Sequence, residues 1–224
     1  MLEYFLTLPW SLLSLGILLS ALSVFVFLYE RRRESREVPV VAALAALAAA
    51  GRIPFAAIPS VQPTTYLVLL SGFVFGPVPG FTVGATAALA SNFFLGQGPW
   101  TPWQMLAWGL AGASGGWVGR ACPRAGARTL AVLGFFWGYL FGAIMNVWNW
   151  LTYMYPLDLT TFAAVEATGV WFDTLHAAGN ALLALLLTDR LLPRLLRFRA
   201  RLRVEVLREA PPSAGSAAAG PGEK

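Results

Sequence analysis

The chain has 224 residues, of which 57% are hydrophobic and only 12% charged, with a net charge of +5. A soluble domain carries about 25% charged residues; the deficit here, with apolar residues in long unbroken blocks, excludes an ordinary soluble core, and the lack of polar–apolar alternation excludes a membrane β-barrel. The single cysteine, Cys122, excludes a disulfide within the chain.

The blocks predict seven membrane helices, at about 5–29, 38–58, 64–78, 79–95, 103–120, 129–151 and 169–191. A span needs ~20 residues at 1.5 Å each. The first block has Glu3 ahead of it and its arginines behind it, so it is expected to be an anchor helix with its N-terminus outside rather than a cleaved leader. Residues 31–37 follow as a basic linker. The second block carries an alanine ridge, Ala42, Ala46 and Ala50, with Ala45 and Ala49 beside it. Such a ridge lets another helix approach closely, from within the protein or from a partner. The turn Gly76-Pro77-Val78-Pro79-Gly80 divides the short third and fourth blocks, which read as two thin helices or one re-entrant hairpin. Residues 193–209 read as a basic amphipathic helix on the membrane surface or equally as charge that only sets topology, and 210–224 have the composition of a disordered tail.

The basic residues orient the bundle. Threading the spans puts the arginines at 31–36, 120–128 and 190–208, with Lys224, on one face, and only Arg52 on the other. By the positive-inside rule the rich face is cytoplasmic, which predicts a multi-pass plasma-membrane protein with its C-terminus inside. The same placement assigns the positive charge to membrane topology and not to nucleic acid.

Polar side chains at membrane depth face a cavity or another helix. Asn146, Asn149 and Tyr153 share one face of the sixth block, and Asp173, His176 and Asn180 share one face of the seventh. Asn92 ends the fourth block, and Gln104 and Trp108 share a face at the start of the fifth. The two external loops, Arg52 to Pro63 with Gln62, and Asn92 to Gln104 with Gln97, Trp100 and Trp103, are rich in proline, glycine, amides and aromatic rings. Together these groups suit a polar, mostly uncharged ligand with ring surface. Taken singly they also have plainer uses. An amide can hold two helices together, at about 0.6–2 kcal/mol. A tryptophan can anchor at the membrane interface. Asp173 and His176 read equally as a structural pair or as a proton site. One histidine and no cluster of metal ligands leave no metal site, no intrinsic cofactor and no catalytic residues to expect.

The alanine ridge, the Phe75-Gly76-Pro77…Gly80 turn and above all the segment Ser91-Asn92-Phe-Phe-Leu-Gly-Gln-Gly-Pro-Trp-Thr-Pro-Trp-Gln104 carry a resemblance. Over about residues 38–192 the chain resembles the substrate-binding S components of energy-coupling factor (ECF) vitamin transporters, and the long segment looks most like the cobalamin-type members. The resemblance implies an all-α membrane protein: a six-helix S-component core at 38–192, which captures a vitamin under external loops and docks on a transmembrane coupling (T) subunit carrying two cytoplasmic ATPases. Ala42, Ala46 and Ala50 would be the docking face, and residues of the 52–63 and 92–104 loops would form the gate and part of the pocket. The helix at 1–30 is extra to that pattern. The expected ligand is cobalamin or a related corrinoid. Riboflavin or another ring-bearing vitamin fits the same amide and aromatic chemistry, and a stand-alone proton-coupled transporter or, less readily, a membrane enzyme using Asp173 and His176 are the other classes.

Overall fold

The computed structural model describes residues 11–20, 22, 23, 27 and 37–202. The linker up to Arg36, the amphipathic tail beyond Leu202 and the 210–224 tail lie outside the described residues. Those described are all helical or in short turns. The helices are α1 (Ser11–Ser20), α2 (Glu37–Arg52), α3 (Thr64–Phe75), α4 (Pro77–Leu95), α5 (Thr101–Ala121), α6 (Ala127–Tyr153) and α7 (Leu159–Leu202). Among them α4, α6 and α7 are long and apolar enough to cross a membrane.

Three boundaries differ from the sequence reading, each for a local reason. The second block was expected to stay helical to residue 58, but α2 ends at Arg52. Pro54 and Pro59 follow, and proline cannot continue a helical hydrogen-bond ladder. The expected five-residue turn between α3 and α4 shrinks to Gly76, whose φ of 104° is costly for any residue with a Cβ. Pro77 then opens α4 at the position where its missing N–H is not needed. The largest difference is α7. It was expected at 169–191 after a long loop, with a separate tail helix; it runs unbroken for 44 residues, through Pro193. Its start is fixed by Asp158. The Asp158 carboxylate accepts the Thr161 N–H at 2.8 Å, and the Thr161 hydroxyl accepts the Asp158 N–H at 3.3 Å, a reciprocal cap.

Helices α3, α4 and α5 approach so closely that backbone meets backbone. A Cβ on Gly72 of α3 would stand 1.8 Å from the Gly112 carbonyl oxygen of α5, and one on Gly112 would stand 2.0 Å from that of Gly80 in α4. Helix α2 joins them through Val41, Ala45, Ala48 and Ala49, which bury against Val68, Val83 and Ala87. The opposite face of α2, with Ala42, Ala46 and Ala50, is exposed. Helices α6 and α7 form a hairpin, tight enough that a Cβ on Gly138 would overlap Ala177. The hairpin closes on the rest through Leu130, Ala131 and Ala184, packed with Tyr66, Leu70 and Phe73. Helix α1 lies on α4 and α5, with Leu18 and Leu22 against Phe81, Ala85 and Ala113.

The bundle therefore has two ends. Arg120, Arg124 and Arg128 cluster at the α5–α6 turn. Arg52, Asn92 and Gln104 meet at the opposite end, where α2 and α4 finish and α5 begins.

Candidate functional site

Arg52 is the last residue of α2, where the negative end of the helix dipole favours a cation. Its guanidinium reaches three side chains on two chain segments. Nε donates to Gln62 Oε1 at 3.0 Å, and Nη1 donates to Ser91 Oγ at 2.9 Å and Asn92 Oδ1 at 2.7 Å. Asn92 is 1% exposed and uses its other end as well. Its Nδ2 donates to Gln104 Oε1 at 2.7 Å and Thr101 Oγ1 at 3.0 Å. The Thr101 hydroxyl in turn donates to Gln97 Oε1 at 2.9 Å, and Gln97 Nε2 returns to the Leu89 carbonyl at 3.0 Å. Five of the predicted residues, Arg52, Gln62, Asn92, Gln97 and Gln104, thus form one continuous hydrogen-bonded wall.

An aromatic floor meets this wall. The Arg52 guanidinium carbon lies 4.9 Å from the Trp108 ring centroid, a cation–π distance. Trp108 Nε1 donates to Thr65 Oγ1 at 2.9 Å, and Thr65 Oγ1 lies 2.8 Å from His176 Nε2. Indole can only donate, so Thr65 accepts there and has its own proton to offer Nε2 of a neutral His176. Phe141 from α6 fills the gap, 4.8 Å from Trp108 and 5.1 Å edge-on to His176. Trp148 stands 5.9 Å from Trp100 and 5.6 Å from Tyr153, linking the α5 start to the end of α6. The 53–63 loop reaches α7, where Val61 lies 3.2 Å from where a Cβ on Gly179 would stand.

The remaining predicted residues separate from this group. Asp173 does not pair with His176. It turns to α6, where a Cβ on Gly142 would overlap its carboxylate. A Cβ on Gly169 would stand 2.9 Å from Asn146 Nδ2 and 3.5 Å from Asp173 Oδ2, so Asn146 and Asp173 flank one notch in the hairpin. Asn146 Nδ2 and Glu166 Oε1 are buried there without a hydrogen-bond partner among the described residues. Asn149 is half-buried further along α6. Asn180 is helix glue, donating to the Gly134 carbonyl at 3.1 Å. Trp103 points the other way, packing on the Leu18–Leu22 cluster under α1. One residue separates it by about 100° from Gln104 around the helix, which is enough to place the two on different faces.

Sequence reading passed over Thr65, Ser91, Thr101, Phe141 and Trp148. The hydroxyls have a faint signal, since Thr64 and Thr65 open an otherwise apolar helix directly after Pro63. Phe141 and Trp148 lie in a run of aromatic residues, and nothing local distinguishes them from lipid-facing neighbours.

The family model described as ECF-type riboflavin transporter, S component, matches residues 33–192. The chain belongs to the S components of ECF-type transporters. The matched span contains α2 to α7 up to Leu192, and with it the whole wall and floor, while α1 lies outside it. No curated protein and no solved structure gives a significant match. An S component is a transporter subunit and not an enzyme, which agrees with the absence of a catalytic constellation from the sequence reading. The match carries the ECF part of the resemblance noted above and leaves the cobalamin-type part without support of its own.

Proposed function

We propose that this S component captures a ring-bearing vitamin at the Arg52 end of the bundle and delivers it across the membrane by docking on a T subunit driven by two ATPases. The observation that carries the reading is the juxtaposition of the Gln62–Arg52–Asn92–Gln104 wall with the Trp108–Phe141–His176 floor. Trp108 and His176 are themselves buried, so a flat heterocycle would lie against the half-buried Phe141 ring above them while its carbonyl and imide edge exchanged hydrogen bonds with the amides. Burial in such a site rewards ring area at about 25 cal/mol per Å² and sets orientation through few polar groups. In this reading the Arg52 end faces outward and the arginine-rich end inward, α2 to α7 are the six-helix core, and α1 is an addition on its α4–α5 side.

Riboflavin is the first ligand to test, because the matching family is named for it and its planar tricycle suits the floor. A corrinoid is the second, favoured by the Ser91–Gln104 segment. Protein purified from cells supplied with both vitamins separates them by colour: a flavin is yellow and fluoresces once released by denaturation, a corrinoid is red and non-fluorescent. Co-purification of a flavin in roughly equimolar amount is the expected result. A red preparation moves the assignment to corrinoids, and a colourless, folded protein that binds neither removes the ring-vitamin reading.

The exposed Ala42–Ala46–Ala50 face is the proposed docking surface for the T subunit. Its small side chains permit close helix approach, and α1 covers α4 and α5, leaving this face open. Ala46→Trp is expected to reduce vitamin uptake by cells to background while the purified variant keeps the wild-type dissociation constant. Loss of binding together with uptake would show that the tryptophan disturbs the bundle itself.

A further inference from the structure

The arginine end of the bundle carries a second concave feature, unconnected with the vitamin wall. Helix α5 ends at Ala121 and α6 begins at Ala127. The turn between them forms a hollow of about 730 Å³ lined by Cys122, Pro123, Arg124, Ala125 and Thr129. Thr129 is shared with a second hollow of about 400 Å³ lined by Val118, Arg128, Val132, Leu133 and Phe136. The first carries Arg124 and Thr129 on an otherwise apolar lining and the second is almost wholly apolar apart from Arg128 and Thr129, so the two meet at Thr129 as one groove with its charge at the turn and hydrocarbon beyond.

The groove follows the helix. Arg128, Val132 and Phe136 recur at four-residue spacing along one face of α6, so Phe136 lies roughly 12 Å further along the axis than Arg128. Val132 and Phe136 are exposed, and Val118 of α5 forms the facing wall. At the polar end Arg124 and Arg128 are exposed, and no acidic side chain among the described residues pairs with them. Cations next to an apolar channel match an amphiphile with an anionic head. A soluble anion would have no use for the Val132–Phe136 half, and a zwitterionic lipid would bring its own headgroup cation beside the arginines.

We infer that this groove holds one anionic phospholipid, its phosphate between Arg124 and Arg128 and one acyl chain along Val132 and Phe136. The level of the groove suits such an occupant, because α6 enters its apolar run at Leu130, directly after Thr129. Occupied in this way, the lipid would clamp the α5–α6 turn and with it the arginine end of both helices.

The test is lipid titration of the purified full chain in neutral detergent, read by native mass spectrometry. Phosphatidylglycerol and phosphatidylcholine with identical acyl chains are compared, with glycerol phosphate as a headgroup alone. One phosphatidylglycerol is expected to be retained in preference to phosphatidylcholine. The preference should fall roughly thirtyfold in Arg124→Gln/Arg128→Gln, about fivefold in each single variant, and little in the lysine pair. Val132→Gln/Phe136→Gln should weaken the lipid through the apolar half alone. Arg190→Gln/Arg194→Gln, at the same end but outside the groove, should leave it unchanged. Equal retention of both lipids overturns the inference, as does an equal loss from the Arg190/Arg194 pair, which would mean a diffuse basic belt. Tight binding of glycerol phosphate would make the hollow a soluble-anion site and overturn it as well. The single variants and the lysine pair keep the experiment decisive if the double glutamine variant does not fold.

Discussion

Arg52→Met will weaken vitamin binding by about a hundredfold while the protein still folds. Arg52 touches both halves of the proposed site, since its N–H groups hold Gln62, Ser91 and Asn92 and its face lies over Trp108. Hydrogen bonds to a charged group contribute about 1.5–3 kcal/mol each. Methionine keeps apolar bulk over the indole but leaves Gln62 Oε1 and Asn92 Oδ1 without a donor. The amides then turn to new partners, and Asn92 no longer presents Gln104 in a fixed orientation. A loss of about 3 kcal/mol from the bound state corresponds to roughly a hundredfold in dissociation constant. Arg52→Lys should fall between, because an ammonium supplies charge without a planar fork that reaches three acceptors or stacks on a ring. Titration of the purified variants with the co-purifying vitamin measures the effect, with the melting midpoint as a check on folding. A folded Arg52→Met protein with the wild-type dissociation constant would place the site elsewhere.

The part of this site that was legible in the sequence is the part built from unusual residues. Arg52 is the one basic residue that the sequence places on its side, and Asn92, Gln97 and Gln104 fall close together in one external loop, with Asn92 closing an apolar block where burying an amide is costly. The hairpin was less legible because periodicity places residues on a helix face but does not say which neighbour that face meets. Asp173 and His176, three residues apart, read as a pair. Yet Gly142 and Gly169 open a notch that takes Asp173 toward Asn146, while Thr65, distant in sequence, takes His176. Trp103 shows the same limit, since its composition matched the loop aromatics and only the position of α1 shows where it packs. The length of α7 was missed for another reason. Thr160, Thr161, Glu166 and Thr168 give residues 159–168 a loop-like polarity, and the Asp158–Thr161 cap that starts the helix uses threonine where glutamate or glutamine is the familiar signal.

Gly112→Ala will remove most of the folded protein, although it adds a single methyl group. Overpacking a core costs about 1–3 kcal/mol when side chains can shift. At Gly112 the new Cβ would stand 2.0 Å from the carbonyl oxygen of Gly80 and 2.3 Å from its carbonyl carbon, and these are backbone atoms with no rotamer to escape into. Relief requires α4 and α5 to separate along the contact that Gly72 shares from α3. The cost is therefore expected at about 3 kcal/mol or more, a large part of the 5–15 kcal/mol that holds a typical domain together. The consequence reaches the binding end by geometry. Ser91 and Asn92 sit at the end of α4, and Thr101, Gln104 and Trp108 at the start of α5, so helices forced apart at Gly80–Gly112 separate Asn92 Nδ2 from Gln104 Oε1, now 2.7 Å away. Surviving protein should bind the vitamin more weakly than wild type. Gly16→Ala is the matched control, because it too lies inside a helix and a Cβ there meets nothing within 4 Å. The yield of monodisperse protein after detergent extraction and its melting midpoint read the outcome: a Gly112→Ala protein that melts with the wild type would mean that α4 and α5 do not approach backbone to backbone, and that the wall between them is set by something other than the glycines.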